Sequence, residues 1–316
     1  MNPLRLEVAG ALAPQDIIAG LSCTPRSIPC KYLYDERGAA LFEAICRLDE
    51  YYPTRTEIGI LEKHSNQIAA WVGRDARVVE YGSGSGEKTR LLLAQLHSPR
   101  EYLPIDVSFT QLLRHAANLR NRFPGLRVSP VHADYTKRFR LSFNGHSRRT
   151  IVFFPGSTIG NFEPLEAIAF LRRAADVARG GGGLLIGVDL KKPASVLGRA
   201  YNDAHGVTAA FNLNILSHVN AVCGADFEQS NFEHVAFYNE DAGRIEMHLR
   251  SLVAQQITLS AGQIDLERGE LIGTEHSYKY DPNEFSELVR QAGFRLRRRW
   301  FDAQRWFGVY AFDVDA

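Results

Sequence analysis

Little in this chain is extreme, and each shortage excludes something. Only four cysteines stand among 316 residues. Cys23, Cys30, Cys46 and Cys223 lack the spacing of a metal site, so no metal is expected. Free thiols in a reducing cytoplasm are the expectation, with a Cys23–Cys30 disulfide as the lesser alternative. No apolar run approaches the roughly 18 residues of a membrane span, and no membrane partner is expected. Arg5, Glu7 and Asp16 interrupt the start of the chain, which carries no signal-peptide pattern. Charge has no dominant sign: 37 basic residues face 36 acidic ones, a net charge of +1. That leaves no bulk field to hold nucleic acid and points to a small-molecule substrate. No repeat or low-complexity tract interrupts a length sufficient for one large domain or two modest ones.

What the chain does have is a concentrated glycine turn. Val78-Val79-Glu80-Tyr81 is an apolar run with an acid near its end, and Gly82, Gly84 and Gly86 follow at alternate positions. Arg90 to Leu96 continues as a helix pattern. Strand, glycine turn and helix together hold a charged ligand against backbone N–H groups. A dinucleotide fingerprint, G-x-G-x-x-G, fails because Glu87 occupies the third glycine position. A phosphate loop fails at the same residue, whose carboxylate would repel phosphate. The pattern that fits is E-x-G-x-G-x-G, the one seen in S-adenosylmethionine (SAM) methyltransferases. SAM has no phosphate, and Lys88 is placed to pair with its carboxylate. A turn without a ligand remains the bland alternative, although a tight turn alone needs fewer glycines.

Two further acids extend the pattern. Glu101–Ser108 reads as a second strand ending at Asp106, about 20 residues past the turn, where an acid binds ribose hydroxyls. Val128–Tyr135 reads as a third, with Asp134 and Tyr135 suited to an adenine amino group and ring face. Each acid alone would pass for a helix cap or a solvated loop residue.

Strands are expected at 77–81, 101–106, 127–131, 150–154 and 183–190, with helices at 87–97, 109–123 and 163–179. This alternation predicts an α/β fold: a Rossmann-like, doubly wound parallel sheet with ligands at the C-terminal strand ends. Helix Asn283–Gly293 and strands Phe294–Phe301 and Trp306–Val314 predict a C-terminal hairpin closing the sheet. The loop Pro155–Pro164 leaves the fourth strand where a methyl acceptor would meet the sulfonium, and Asn161 either binds there or caps the next helix. Residues 193–275 break the rhythm, with a helix from Val207 to Cys223 and antiparallel strands at 232–238, 244–251 and 253–259. With residues 1–58, which carry the helices expected at 14–21 and 39–46 and the start of one at 56–72, they predict a second, substrate-binding lobe. The SAM domain then comprises 59–192 and 276–316. Tyr34, Tyr51 and Tyr52 precede the glycine turn, either packed with their hydroxyls in water or lining a polar ligand.

Methyl transfer is an in-line displacement governed by positioning. An amine acceptor needs hydroxyls or carbonyls around it more than a strong base. An amino-acid acceptor also needs a grip on its side chain. Glu275 and Ser277 are two apart on an extended stretch and share a side. Together they suit both nitrogens of an imidazole, unless Glu275 merely pairs with Lys279 on the surface.

In order along nearly the whole chain, Lys31–Asp35, Tyr51–Glu57, Glu80–Thr89, Gly156–Phe162, Gly187–Leu190, Tyr201–Asn214, Arg244–Arg250 and Thr274–Ser277 resemble the histidine-specific N-alpha-methyltransferases of ergothioneine biosynthesis. The strings Y-Y-P-T-R-T-E and G-S-T-I-G-N are the most specific. The resemblance implies transfer of three methyl groups from SAM, as co-substrate, to the alpha-amine of L-histidine, giving hercynine. It also implies a two-lobed monomer. By position it implies SAM contacts from Gly82, Lys88, Asp106, Asp134 and Tyr135. Tyr51, Asn161 and Tyr201 would hold the amino-acid backbone, while Glu275, His276 and Ser277 would lie at the imidazole. Tyr34, Phe42, Gly156, Thr158 and Met247 would line the amine and ring pocket, with Tyr34, Gly156 and Asn161 nearest the chemistry. His276 departs from the family's usual aliphatic residue, and is harmless only if strand alternation turns it away. A related branch takes tryptophan-type substrates, but indole would leave Glu275 unpaired at a cost on the order of kcal/mol. The remaining rivals are methylation of another small amine, of protein or of RNA, and nucleotide binding without turnover.

Overall fold

The computed structural model describes residues 14–84, 86–141, 143 and 147–315, and the backbone of 7–9. The chain opens with strand β1 (Glu7–Ala9), helix α1 (Pro14–Ser22), strand β2 (Arg26–Ser27) and helix α2 (Glu36–Ile45). Helices α3 (Tyr52–Lys63) and α4 (Ser65–Val72) lead into β3 (Ala76–Tyr81), α5 (Glu87–Gln95), β4 (Glu101–Asp106) and α6 (Phe109–Arg122). Then come β5 (Arg127–Val128), β6 (Val131–Ala133), β7 (Arg149–Phe154), α7 (Pro164–Ala178) and β8 (Gly183–Asp189). Next are α8 (Ala194–Tyr201), α9 (Val207–Cys223), β9 (Phe232–Asn239), β10 (Arg244–Ser251), β11 (Gln255–Leu259), β12 (Gly262–Leu266) and β13 (Leu271–Tyr278). Helix α10 (Pro282–Arg290) and strands β14 (Phe294–Phe301) and β15 (Phe307–Val314) close the chain.

Two compact units result. The first comprises residues 1–11, 53–191 and 279–316. Its sheet runs β1-β6-β4-β3-β7-β8-β15-β14, with β5 beside β4. The pairs from β1 through β8 are parallel, while β15 is antiparallel to both β8 and β14. Strands β3, β4 and β8 are buried along their whole length, because a parallel sheet is covered on both faces. Ile60, Ile68, Val72, Val78, Phe153, Leu185 and Val309 belong to one core cluster. The Rossmann-like doubly wound sheet and its closing hairpin are as expected. The order reverses at β3, whose neighbours β4 and β7 both follow it in sequence. That is where such sheets bind ligands.

The second unit comprises residues 12–52 and 192–278. It holds a four-stranded sheet, β2-β13-β10-β9, a separate β11–β12 hairpin, and helices α1, α2, α8 and α9. Asp35 caps α2, accepting from the Gly38 N–H at 2.7 Å. It also accepts from Asn214 Nδ2 of α9 at 2.7 Å.

Several expectations need correction. The helix expected over 56–72 is two, broken at His64, and the turn expected at 51–57 is largely the first turns of α3. The strand expected over 127–131 splits around Ser129 and Pro130, whose ring nitrogen has no N–H to donate. The third strand of the insertion starts at Gln255 and pairs with β12, which the pattern did not announce. β1 pairs with β6 at the edge of the first unit's sheet. Residues 276–278 continue β13, paired with β10 as far as Arg244↔Tyr278. Lys279 pairs with Asp189 at 3.0 Å, each side chain 1% exposed.

Removing one partner of such a buried pair strands the other charge. Lys279→Met is therefore expected to cost about 3–5 kcal/mol. A large fall in the unfolding midpoint of the variant in urea would show it; an unchanged midpoint would contradict it.

Candidate active site

In the first unit the site grows from the end of β3. Gly82, Gly84 and Gly86 have φ of +70°, +46° and +71°, the left-handed region where side chains are strained. The Gly82 N–H donates to the Ile105 carbonyl at 2.8 Å. The Gly84 N–H donates to Asp106 Oδ2 at 3.3 Å, and the Ser108 N–H to Oδ1 at 2.9 Å. Asp106 is thus oriented by backbone, although burial raises its pKa. A Cβ on Gly86 would fall 1.8 Å from the His115 ring, so this glycine also lets α6 approach. Among the described residues, a Cβ on Gly84 would meet nothing within 4 Å, and the buried Ser83 hydroxyl has no partner. Open backbone beside an unmet polar atom fits a ligand with polar groups, as SAM is.

Beneath the turn, Glu80 accepts from Thr89 Oγ1 at 2.6 Å and from the Tyr102 hydroxyl. That hydroxyl also lies 3.0 Å from His115 Nε2. Burial raises the Glu80 pKa to about 8 despite these donors, and lowers that of His115 to about 4. Glu80 is therefore a neutral acid at pH 7 and His115 a neutral imidazole. At the end of β6, Asp134 accepts from the Thr136 N–H at 3.0 Å. The Tyr135 ring packs 5.7–6.1 Å from Tyr81, Phe154 and Phe170, and its hydroxyl is 3.5 Å from where a Gly82 Cβ would stand. Four of the five expected SAM contacts thus gather at adjacent strand ends.

Lys88, the fifth, has a protein partner: its Nζ lies 2.6 Å from Glu57 Oε2. The same oxygen accepts the Gly156 N–H at 2.8 Å. Gly156, at φ +84°, and Ser157, at φ +59°, turn the chain out of β7. Ser157 Oγ accepts the Asp189 N–H at 2.9 Å, and Thr158 Oγ1 donates to the Pro155 carbonyl at 3.1 Å. Asn161 ends the short helical turn Thr158–Asn161. It does not cap α7, which Glu163 and Glu166 cap reciprocally.

In the second unit, β13 carries Glu275 and Ser277 opposite Met247 and Ile245 of β10. The Tyr201 hydroxyl lies 2.9 Å from Ser277 Oγ. Tyr51 is buried, and its pKa is raised by that burial and by Tyr201, Cys46, Tyr34 and Glu275 around it. Its hydroxyl stays protonated across the physiological range. Ring centroids separate Tyr34 from Phe42 and from Phe211 by 5.5 Å, Phe42 from Tyr51 by 6.1 Å and Tyr51 from Tyr201 by 6.3 Å. His276 leaves this group: it pairs opposite Glu246, on the face that carries His248. Sequence reasoning missed Phe211, Cys46 and Asn214, whose buried Oδ1 has no partner among the described residues. It also missed Glu57, although the residue sits inside a quoted string; a lone acid amid helix-forming residues was the available signal.

A family model described as "Histidine-specific methyltransferase, SAM-dependent" matches residues 13–314. The chain belongs to this family. Over 313 residues it is 41% identical to the histidine N-alpha-methyltransferase of Mycolicibacterium smegmatis, covering 98% of this chain and 97% of that one. It is 40% identical over 309 residues to the histidine N-alpha-methyltransferase of Mycobacterium tuberculosis, covering 96% and 95%. Ergothioneine biosynthesis protein 1 of Neurospora crassa is 30% identical over 308 residues, 94% of this chain but 33% of that protein. SAM dependence therefore rests on the family as well as on the strand ends. Among the described residues, no cluster of three or more His, Cys, Asp or Glu side chains could hold a metal. Nor is any helix among them long and apolar enough to cross a membrane.

The two buried titrating groups under the turn act oppositely on stability. His115, depressed from 6.5 to about 4, stabilises above pH 6.5 and loses that contribution as pH falls through 4. Glu80, raised from 4.5 to about 8, stabilises below pH 4.5 and loses its contribution as pH rises through 8. Between pH 6.5 and 8 only the Glu80 slope remains. Glu80→Gln is expected to flatten the decline of unfolding temperature over that interval, and an unaltered decline would contradict the assignment.

Proposed function

We propose that this chain transfers methyl groups from SAM to the alpha-amine of L-histidine, three in succession, giving hercynine as the first step of ergothioneine biosynthesis. The observation that carries the reading is the pairing of Glu275 and Ser277 on one face of β13, with Tyr201 on Ser277 and Tyr51 beside Glu275. A carboxylate accepts one imidazole N–H, and a hydroxyl held by Tyr201 meets the other ring nitrogen. A hydrophobic ring without a second nitrogen would leave that pair unmet. The family and its histidine-methylating relatives support the same reading.

SAM, when bound, supplies a methyl group on a sulfonium, a leaving group that needs no acid. The chain's residues position the acceptor. Tyr51, Tyr201 and Asn161 are assigned to the amino-acid carboxylate and amine, with Tyr34 and Gly156 near the reacting nitrogen. Phe42, Thr158 and Met247 are likewise assigned to the substrate, and His276, on the other face of β13, is not. A neutral amine is the nucleophile, and uncharged hydroxyls around it disfavour its protonated form without a strong base. Each of the first two transfers leaves an ammonium that releases its proton to solvent before the next attack, and the third leaves a quaternary cation, which the rings of Tyr34, Phe42, Phe211 and Tyr51 suit through their π faces. We assign Gly82, Asp106, Asp134, Tyr135 and Lys88 to SAM, the second unit to the amino acid, and a cytoplasmic monomer to the working state.

Incubation of the purified chain with SAM and each common amino acid, read by mass, tests this. Histidine gaining up to three methyl groups is expected. Tryptophan in competition should not displace it. Glu275→Ala should lower kcat/KM for histidine about 10- to 100-fold, the worth of a hydrogen bond to a charged group, with SAM binding retained. SAM binding without histidine methylation would overturn the substrate assignment and leave the fold untouched.

A further inference from the structure

Glu57 is a buried carboxylate with an uneven set of partners. Its side chain is 1% exposed. Oε2 receives both Lys88 Nζ, at 2.6 Å, and the Gly156 N–H, at 2.8 Å. Oε1 is buried with no hydrogen-bond partner among the described residues. A Cβ on Gly187 would lie 1.9 Å from that oxygen. Gly187 sits inside β8 without a left-handed backbone angle, so space for Glu57, not conformational freedom, is what requires a glycine there.

This arrangement is a poor way to gain stability. Burying a charged pair costs desolvation that the pairing barely offsets, and an unmet oxygen adds to the cost. Its effect is geometric. One oxygen on α3 ties the first turn of α5, after β3, to the loop leaving β7. Those strands are neighbours at the point where the sheet order reverses.

We propose that Glu57 is a positioning residue that sets Lys88 for the amino-acid end of the cofactor, anchors the Gly156 amide beside it and, by its charge, favours cationic SAM over its neutral product. The proposal rests on the reading that Lys88 meets the cofactor. SAM carries a sulfonium, an ammonium and a carboxylate, a net charge of +1. S-adenosylhomocysteine, which has lost the sulfonium charge, is neutral. With Glu57 present, its carboxylate balances Lys88 and leaves no net positive charge to repel SAM. Three transfers to one acceptor mean three exchanges of product for fresh SAM, so this preference lies directly on the path of turnover.

Calorimetric titration of the full chain with SAM and with S-adenosylhomocysteine tests the inference. Lys88→Met is made first, and about tenfold or greater weakening of SAM is expected. An unchanged affinity there would overturn the Lys88 reading itself and this proposal with it. If Lys88→Met weakens SAM, Glu57→Gln should also weaken SAM about tenfold or more, and S-adenosylhomocysteine distinctly less. The loss in the double variant should fall short of the sum of the two single losses, as expected for residues acting together. Gly187→Ala, which leaves Glu57 and Lys88 chemically intact, should weaken SAM in the same direction. It serves in place of Glu57→Gln should that variant fail to fold. Equal weakening of both ligands by Glu57→Gln, as a merely structural role would give, overturns the charge preference. SAM affinity within about twofold of the parent in Glu57→Gln or Gly187→Ala overturns the positioning role.

Discussion

The backbone turn between β3 and α5 is the constraint on which the first unit depends. Three of its positions lie in the left-handed region, open to glycine at little cost and to other residues only under strain. The turn's own N–H groups tie it down: Gly82 donates to the Ile105 carbonyl, Gly84 to Asp106 and Gly86 to the Ser83 carbonyl. Because its three glycines carry no side chains, other groups come close to them: Tyr135 over Gly82, His115 against Gly86, Asp106 bonded to Gly84. The acid at the end of β4 can reach the turn only since β3 and β4 are parallel neighbours and end together. The same geometry brings the loop after β7 to the other flank of β3.

In the second unit a single irregularity does comparable work. The pairing of β10 with β13 shifts between Met247 and His248, leaving Thr274 as an extra residue between Gly273 and Glu275. Its hydroxyl is taken up by Asn212 Oδ1 at 2.6 Å and the Met247 carbonyl at 3.1 Å. A slip of one residue exchanges the faces of a strand. Downstream of the bulge, Glu275 and Ser277 share a face with Met247 and Ile245, while His276 joins Glu246 and His248 opposite. The composition of the face that carries Glu275 and Ser277 therefore follows from the register as much as from the residues.

Buried charge in the first unit sits at both ends of the parallel strands: Arg77 pairs with Glu101 at the N-terminal ends of β3 and β4, at 2.9 Å, and a larger group lies at the C-terminal ends. Glu80 and Asp106 end β3 and β4, Glu57 reaches Lys88 between β3 and β7, and Asp189 ends β8 against Lys279. Buried charges rarely repay their desolvation in stability. The group at the C-terminal ends is better understood as preparation for a ligand that is itself charged at both ends. Neutral Glu80 is the exception: burial has won over its hydroxyl donors, and it acts as a hydrogen-bonded strut beneath the glycine turn.

The amino-acid sequence by itself determined the alternation of strands and helices, the glycine turn, the acids at strand ends and the Glu275–Ser277 pair. Those features are local: backbone angle, period and spacing act between residues a few positions apart. Tertiary structure alone decided what Lys88 touches, why Gly187 has no side chain, that Phe211 joins the tyrosine cluster and that His276 turns away. Glu57 meets Lys88 and Gly156 across 31 and 99 residues of chain. No local pattern marks such a pairing, because the partner of a buried side chain is set by which strands lie side by side after the chain has folded.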